Sequence, residues 1–174
     1  QVSTDQLARE YFPYNPTVFV VPNHLDRDAW THPKANRNDG KIRIGWAGGN
    51  AHADDLHMIS LVIEQLVKEY KGKVIFETLG MQPQELAGVF SMKDFKDSCP
   101  SCGYEGSVHH FAGEPIKTYP MALASKSWDI AVAPVISNAF GNCKSDIKIK
   151  EFAALGLPVV ASPIVPYREA VKSG

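Results

Sequence analysis

The sequence predicts a doubly wound α/β domain, a parallel sheet with helices on both faces. Three observations predict it. Short β-rich runs alternate with helical runs about four times along the chain. The clearest unit, residues 41–79, reads strand, glycine turn, helix, strand, and parallel strands need such a crossover. The 174 residues are 44% hydrophobic and 21% charged, enough to bury the core of one ordinary domain.

Residues 3–11 read as a short helix capped by Ser3 or Thr4. Thr17-Val18-Phe19-Val20-Val21 is a β-branched and aromatic strand candidate, stopped by Pro22-Asn23. Residues 26–39, with Pro33 and two asparagines, read as loop or linker. The first sheet strand is expected at 41–47, followed by the turn Gly48-Gly49-Asn50. In the helix predicted over 54–70, Leu56, Ile59, Ile63, Leu66, Val67 and Tyr70 recur at spacings of three and four. The next strand is 73–79, closed by Gly80. A short helix at 82–90 and a polar loop at 91–106 precede a brief strand at 108–111. Residues 115–125 read as a helix with Pro115 in its first turn. A buried strand at 128–135 and a helix at 145–155 ended by Gly156 follow. The last strand is 157–162, and a last helix begins at 165.

Lys and Arg number 18 and Asp and Glu 19, a net charge of -1, which argues against a general nucleic-acid binder. No apolar run reaches the roughly 18 residues of a transmembrane segment. Three cysteines leave at least one thiol unpaired, which fits a reducing, cytoplasmic compartment. The first residue, Gln1, is not Met, and both ends look like edges cut from a longer chain.

Ligands of doubly wound sheets bind beyond the carboxyl ends of the strands. That edge should hold Gly48-Gly49-Asn50, Ala112-Gly113-Glu114 and residues 137–145. Gly48 and Gly49 would let a ligand approach the backbone, with phosphate favoured at the following helix start. They equally suit a tight turn with no ligand. Asp54 and Asp55 read as ordinary helix-start acids, and His52 as the one catalytic candidate nearby. Lys144, Lys148 and Glu151 fall at i, i+4 and i+7, so they are expected on one helix face. Lys144 and Ser145 lie at the helix start, where a cation is unfavourable unless an anion sits there, which points to a bound phosphate. Glu151 would accept from vicinal hydroxyls of the same ligand. A merely solvated helix face is the alternative. Cys99-Pro-Ser-Cys102 is half of a zinc knuckle, with His109 and His110 close behind; a plain loop is the competing reading.

Glu151-Phe-Ala-Ala-Leu-Gly-Leu-Pro-Val-Val-Ala-Ser resembles the donor-binding signature of family 4 (group 1) glycosyltransferases, which have the GT-B fold. Val20-Val21-Pro22-Asn23-His24-Leu25-Asp26, Ile42-Arg43-Ile44-Gly45-Trp46-Ala47-Gly48-Gly49, and Tyr119-Pro120 through Trp128-Asp129-Ile130-Ala131-Val132-Ala133-Pro134 resemble further segments of that family, in the same order. The similarity spans about residues 17–174. The chain departs from the pattern at Cys143, where the family usually has a first glutamate, and at residues 48–55, which hold no Arg or Lys. The Asn-Cys-Lys-Ser form at 142–145 resembles a subgroup associated with surface polysaccharides.

The resemblance implies a Rossmann-like lobe of a retaining glycosyltransferase that takes its sugar from a nucleotide-sugar. Residues 1–39 would be interdomain linker and lead-in. Residues 40–174 would be the donor domain, incomplete at its C-terminus, and an acceptor domain would precede it. Glu151 would hold the ribose. Lys144, Ser145 and Lys148, with Gly48, Gly49 and Asn50, would surround the diphosphate. Phe111 and Gly113 would flank the base. No metal or other cofactor is expected. The location would be cytoplasmic, at most peripheral to the inner face of a membrane. Two other readings are a sugar-nucleotide epimerase, for which His52 and Glu114 are the acid–base candidates, and a non-enzymatic binding module.

Overall fold

The computed structural model describes residues 1–30, 37–81, 88–90 and 107–172. Five strands form one parallel sheet: β1 (Ile42–Ala47), β2 (Val74–Leu79), β3 (Val108–Phe111), β4 (Ile130–Ala133) and β5 (Val159–Ala161). Their spatial order is β3-β2-β1-β4-β5, so the chain crosses back between β3 and β4 and restarts beside β1. That reversal is the topological switch point of a doubly wound sheet. The helices are α1 (Asp5–Tyr11), α2 (Ala53–Glu69), α3 (Tyr119–Ser125), α4 (Ala139–Cys143), α5 (Ile147–Ala154) and α6 (Val165–Lys172).

The alternation along β1 and β2 divides the core between the two faces of the sheet. Ile44, Trp46, Val74 and Phe76 meet Leu56, Ile63 and Val67 of α2 on one face. Ala47, Leu79, Ala131 and Ala133 meet Leu123 of α3, Phe152 of α5 and Tyr167 of α6 on the other. Each fully buried Leu, Ile, Val or Phe contributes about 1.5–3 kcal/mol relative to exposure. The period-3.6 reading of α2 therefore holds for Leu56, Ile63 and Val67. Tyr70 departs from it: it follows the helix end, donates its N–H to the Leu66 carbonyl and lies half exposed.

A second departure from simple packing lies under β1. The Trp128 indole lies over Gly45, so close that a Cβ there would overlap the ring. Its Nε1 donates to Glu77 Oε2 at 2.8 Å, and Arg43 Nε donates to Glu77 Oε1 at 3.1 Å. His109 Nδ1 is 3.4 Å from the same Oε1. Arg43 also pairs with Asp39, at 2.7 Å, and that arginine holds the Asp39 carboxyl down to about 2. Arg37 pairs with Asp129, also at 2.7 Å. The Glu77 carboxylate, only 3% exposed, is tolerated in the sheet because Trp128 and Arg43 donate to its two oxygens.

Several expected elements are corrected. Residues 17–21 form no sheet strand. Prolines flank them, and their one ladder contact is an isolated bridge between Val2 and Val20. Residues 115–118 form a turn, because Pro120 has no N–H to continue a helix from it, and α3 begins only at Tyr119. The strand expected at 128–135 shortens to Ile130–Ala133, and the one at 157–162 to Val159–Ala161. The helix expected from 145 begins at Ile147. The expected loop 137–145 contains α4, capped by Asn138 Oδ1 accepting from the Gly141 N–H at 2.7 Å. The polar loop 91–106, with Cys99 and Cys102, and residues 82–87 lie outside the described residues.

Candidate functional site

Three loops converge at the carboxyl edge of β1, β2 and β3. Gly48 N–H donates to the Leu79 carbonyl at 3.0 Å, and Gly80 N–H to the Phe111 carbonyl at 3.0 Å. Gly80 has φ +109°, and a Cβ on it would lie 2.7 Å from the Gly48 carbonyl oxygen. Only glycine adopts that conformation without strain. The Gly48-Gly49-Asn50 turn therefore rests on Gly80, and a Cβ added at Gly113 would lie 3.5 Å from Gly80 as well. Asn50 opens a 3-10 turn, Asn50–His52, that leads directly into α2.

The buried carboxylate of Asp55 organises the switch point. Asp55 Oδ1 accepts from the Ile136 N–H, just beyond β4, at 2.8 Å. Its Oδ2 accepts from Lys144 Nζ at 2.7 Å and lies 2.9 Å from His52 Nδ1. Burial alone would raise this carboxyl. The bonds from Lys144, Ile136 and His52 outweigh burial and hold it below the usual carboxylate value. Lys144 Nζ is also 3.2 Å from His52 Nδ1 and 5.1 Å from the centroid of the exposed Phe140 ring. Asp55, read from sequence as a helix-start acid, thus ties α2, the loop after β4 and the α4–α5 junction together.

Lys144 does not share a helix face with Lys148 and Glu151. It follows α4 in an extended conformation, φ -62° and ψ 157°, three residues before α5 begins. Its charge is met by Asp55, which removes the argument that an anion must sit at the helix start. The Ser145 hydroxyl accepts from Asn23 Nδ2 at 2.8 Å, joining the N-terminal segment to the stretch before α5. Lys150 Nζ reaches the Asn23 carbonyl at 2.8 Å, and the Thr4 hydroxyl donates to the Cys143 carbonyl at 2.9 Å. Cys143, where a family glutamate would fall, is buried, so its side chain faces the core.

Lys148 and Glu151 form a second cluster, one helical turn into α5. Lys148 Nζ donates to Glu151 Oε2 at 2.7 Å and to the Tyr119 hydroxyl at 2.8 Å. Tyr119 Oη in turn donates to Glu151 Oε2 at 3.0 Å. Glu151 is buried, and no bond from a described residue reaches its Oε1. Burial, with the Glu151 charge beside it, pushes the Tyr119 hydroxyl well above the usual tyrosine value, so it remains a donor.

The glycine and valine motif after Glu151 is largely structural. Gly156 has φ +65° and ends α5. The Pro158 carbonyl accepts from the Ala131 N–H at 2.9 Å, and Ser162 Oγ accepts from the Val135 N–H at 2.9 Å. Both bonds lock β5 against β4.

The remaining candidates separate. Phe111 ends β3 at the sheet edge, its ring 3.6 Å from Lys126 Nζ, and Gly113 is exposed just beyond it. Glu114 is exposed and accepts from the Thr118 hydroxyl at 3.2 Å. His109 is buried in the sheet against Glu77, so its ring faces the Arg43–Glu77 network. No group of three or more His, Cys, Asp or Glu side chains suited to a metal occurs among the described residues. No helix among them is long and apolar enough to cross a membrane. A cavity of about 240 Å³ lies between α1, Asn142, Asp146 and α6, and none of Gly48, Lys144, Lys148 or Glu151 lines it.

No family profile and no curated protein sequence matches the chain. Solved structures do match it. The structure of WaaG, a glycosyltransferase involved in lipopolysaccharide biosynthesis, matches 99% of this chain at 13% identity with a TM-score of 0.57. TarM matches 94% at 15% identity and 0.57, and the trehalose-6-phosphate synthase OtsA 90% at 12% and 0.56. The chain spans 46%, 29% and 39% of those three chains respectively. The likeness shows the fold alone: a Rossmann-like α/β lobe of GT-B architecture.

Proposed function

We propose that this lobe binds the nucleotide-sugar donor of a retaining glycosyltransferase acting in surface polysaccharide synthesis. The observation that carries the reading is the Glu151 cluster: a buried carboxylate on α5 with one oxygen engaged by Lys148 and Tyr119 and the other without a described partner. A carboxylate of that kind accepts from paired hydroxyls, as a ribose presents. Residues 40–174 would form the donor domain. Residues 1–39 would lead in from an acceptor domain that supplies the second wall of the site.

The leaving diphosphate would lie near the α5 N-terminus and Gly48-Gly49-Asn50, with Ser145 and the Lys144 and Lys148 ammonium groups as its nearest hydrogen-bond donors. Neutralising charge on that leaving group is the main demand of the transfer, and preorganised cations and amides meet it without a protein nucleophile. Lys144 reaches the diphosphate only by sharing or leaving Asp55, 2.7 Å away. His52, on the same carboxylate, would line the acceptor side. Phe111 and Gly113 would border the base. The expected location is cytoplasmic.

A thermal-shift panel of nucleoside diphosphates tests the reading. At least one of them is expected to raise the melting temperature, and ligand at 100 times Kd stabilises by about 2.7 kcal/mol. Glu151→Ala should abolish that shift relative to its own unliganded baseline. A panel with no stabilising nucleotide would sink the donor-lobe reading. An unchanged shift in Glu151→Ala would move the ribose elsewhere.

A further inference from the structure

Tyr119 opens α3, on the far side of β4 in sequence, yet its hydroxyl ends at Glu151 of α5. The ring is fixed first. It makes a T-shaped contact with Trp30, with centroids 5.9 Å apart and planes at 76°, and Lys148 Nζ lies 5.0 Å from its centroid. Trp30 itself is buried in the core beneath the sheet. So held, the phenol oxygen has two bonds, accepting from Lys148 Nζ at 2.8 Å and donating to Glu151 Oε2 at 3.0 Å.

Both bonds bear on the same carboxylate oxygen. Glu151 Oε2 receives the phenol and the ammonium, while Oε1 receives neither. A carboxylate gripped at one oxygen by donors from two helices cannot swing about its last torsion without losing both bonds. A phenol that stays protonated serves this purpose well, because it supplies a donor without adding a charge that would need its own partner. Lys148 alone is a weaker guide, since an ammonium on four methylenes follows its partner rather than fixing it.

We propose that Tyr119 is a positioning residue for Glu151, holding Oε2 so that Oε1 is presented to the paired hydroxyls of a ribonucleoside diphosphate. This rests on the reading that Glu151 binds the ribose. Its consequence is specific: discrimination between ribonucleotide and 2′-deoxyribonucleotide depends on one phenolic hydroxyl that itself touches no ligand.

Tyr119→Phe is the test, because it keeps the ring on Trp30 and removes only the oxygen. Calorimetric titration of wild type and variant with a ribonucleoside diphosphate panel and its 2′-deoxy counterparts gives the ratio of their dissociation constants. Wild type should prefer the ribonucleotide by about tenfold. In Tyr119→Phe the ribonucleotide should lose about three- to tenfold while the deoxynucleotide changes less than about twofold, so the ratio falls toward one. A wild-type ratio kept intact in Tyr119→Phe overturns the proposal and leaves the ribose reading standing. A wild type with no ribose preference overturns both. Thr118→Ala, the adjacent residue outside the cluster, should keep the wild-type ratio. A collapse there too would place the effect in α3 as a whole and overturn the role of the hydroxyl.

Discussion

Gly45→Ala should destabilise the domain by about 3 kcal/mol or more, a large share of the roughly 5–15 kcal/mol that holds an ordinary domain together. The added methyl would overlap the Trp128 indole, which lies against the strand at that position. The indole cannot retreat without loss. It is 1% exposed, packs on Phe152, and carries the Nε1 donor that Glu77 Oε2 accepts at 2.8 Å. Displacing it leaves a buried carboxylate short of a donor, which adds about 1–3 kcal/mol to the overpacking cost. Urea denaturation reads the difference directly. In a Trp128→Ala background the same glycine substitution should cost less than about 1 kcal/mol, since the clash is gone. Equal costs in the two backgrounds would show that the indole is not what requires glycine at 45.

The parts of the molecule that local pattern dictates were legible in the residues. α2 and strands β1 to β3 lie within a few residues of where apolar periodicity and glycine turns put them, because each is decided by spacing inside one segment. The carboxyl edge of the sheet, where the candidate loops lie, follows from the same alternation. What could not be read was every contact made between segments. Asp55 looks like any helix-start acid, yet its partners Ile136 and Lys144 lie 81 and 89 residues away. Tyr119 and Glu151 are 32 residues apart on separate helices, so no periodicity joins them. Lys144 lies off the expected helix face for a different reason. Counting i, i+4, i+7 assumes one continuous helix, whereas Asn138 caps a separate short one, α4, and the chain re-enters helix only at Ile147. The glycine at 45 carried no signal of its need, because what it accommodates is a side chain from the strand connection 83 residues later.

Removing the Asp55 carboxylate should be the most damaging single change at the switch point. Asp55→Ala strips the acceptor from the Ile136 N–H and leaves Lys144, only 18% exposed, without its counter-ion. Breaking a buried pair from one side costs about 3–5 kcal/mol, and the partial exposure of His52 and Lys144 lowers the expectation to about 2–3 kcal/mol. Asp55→Asn should cost less, since one amide oxygen can still accept from Ile136 while the charge is lost. The pH dependence separates charge from shape. The folded carboxyl sits below its unfolded value of 3.8, so its contribution is fully present above about pH 4 and is lost as pH falls through the folded value. Wild type should therefore lose stability on acidification that Asp55→Asn does not lose, and the two unfolding curves should converge in acid. Parallel curves would mean that the Lys144 pair contributes nothing net. Lys144→Met in the Asp55→Asn background should then be nearly neutral, because the ammonium whose counter-ion had gone is removed with it. A further loss comparable to the first would mean that Lys144 is held by something other than Asp55.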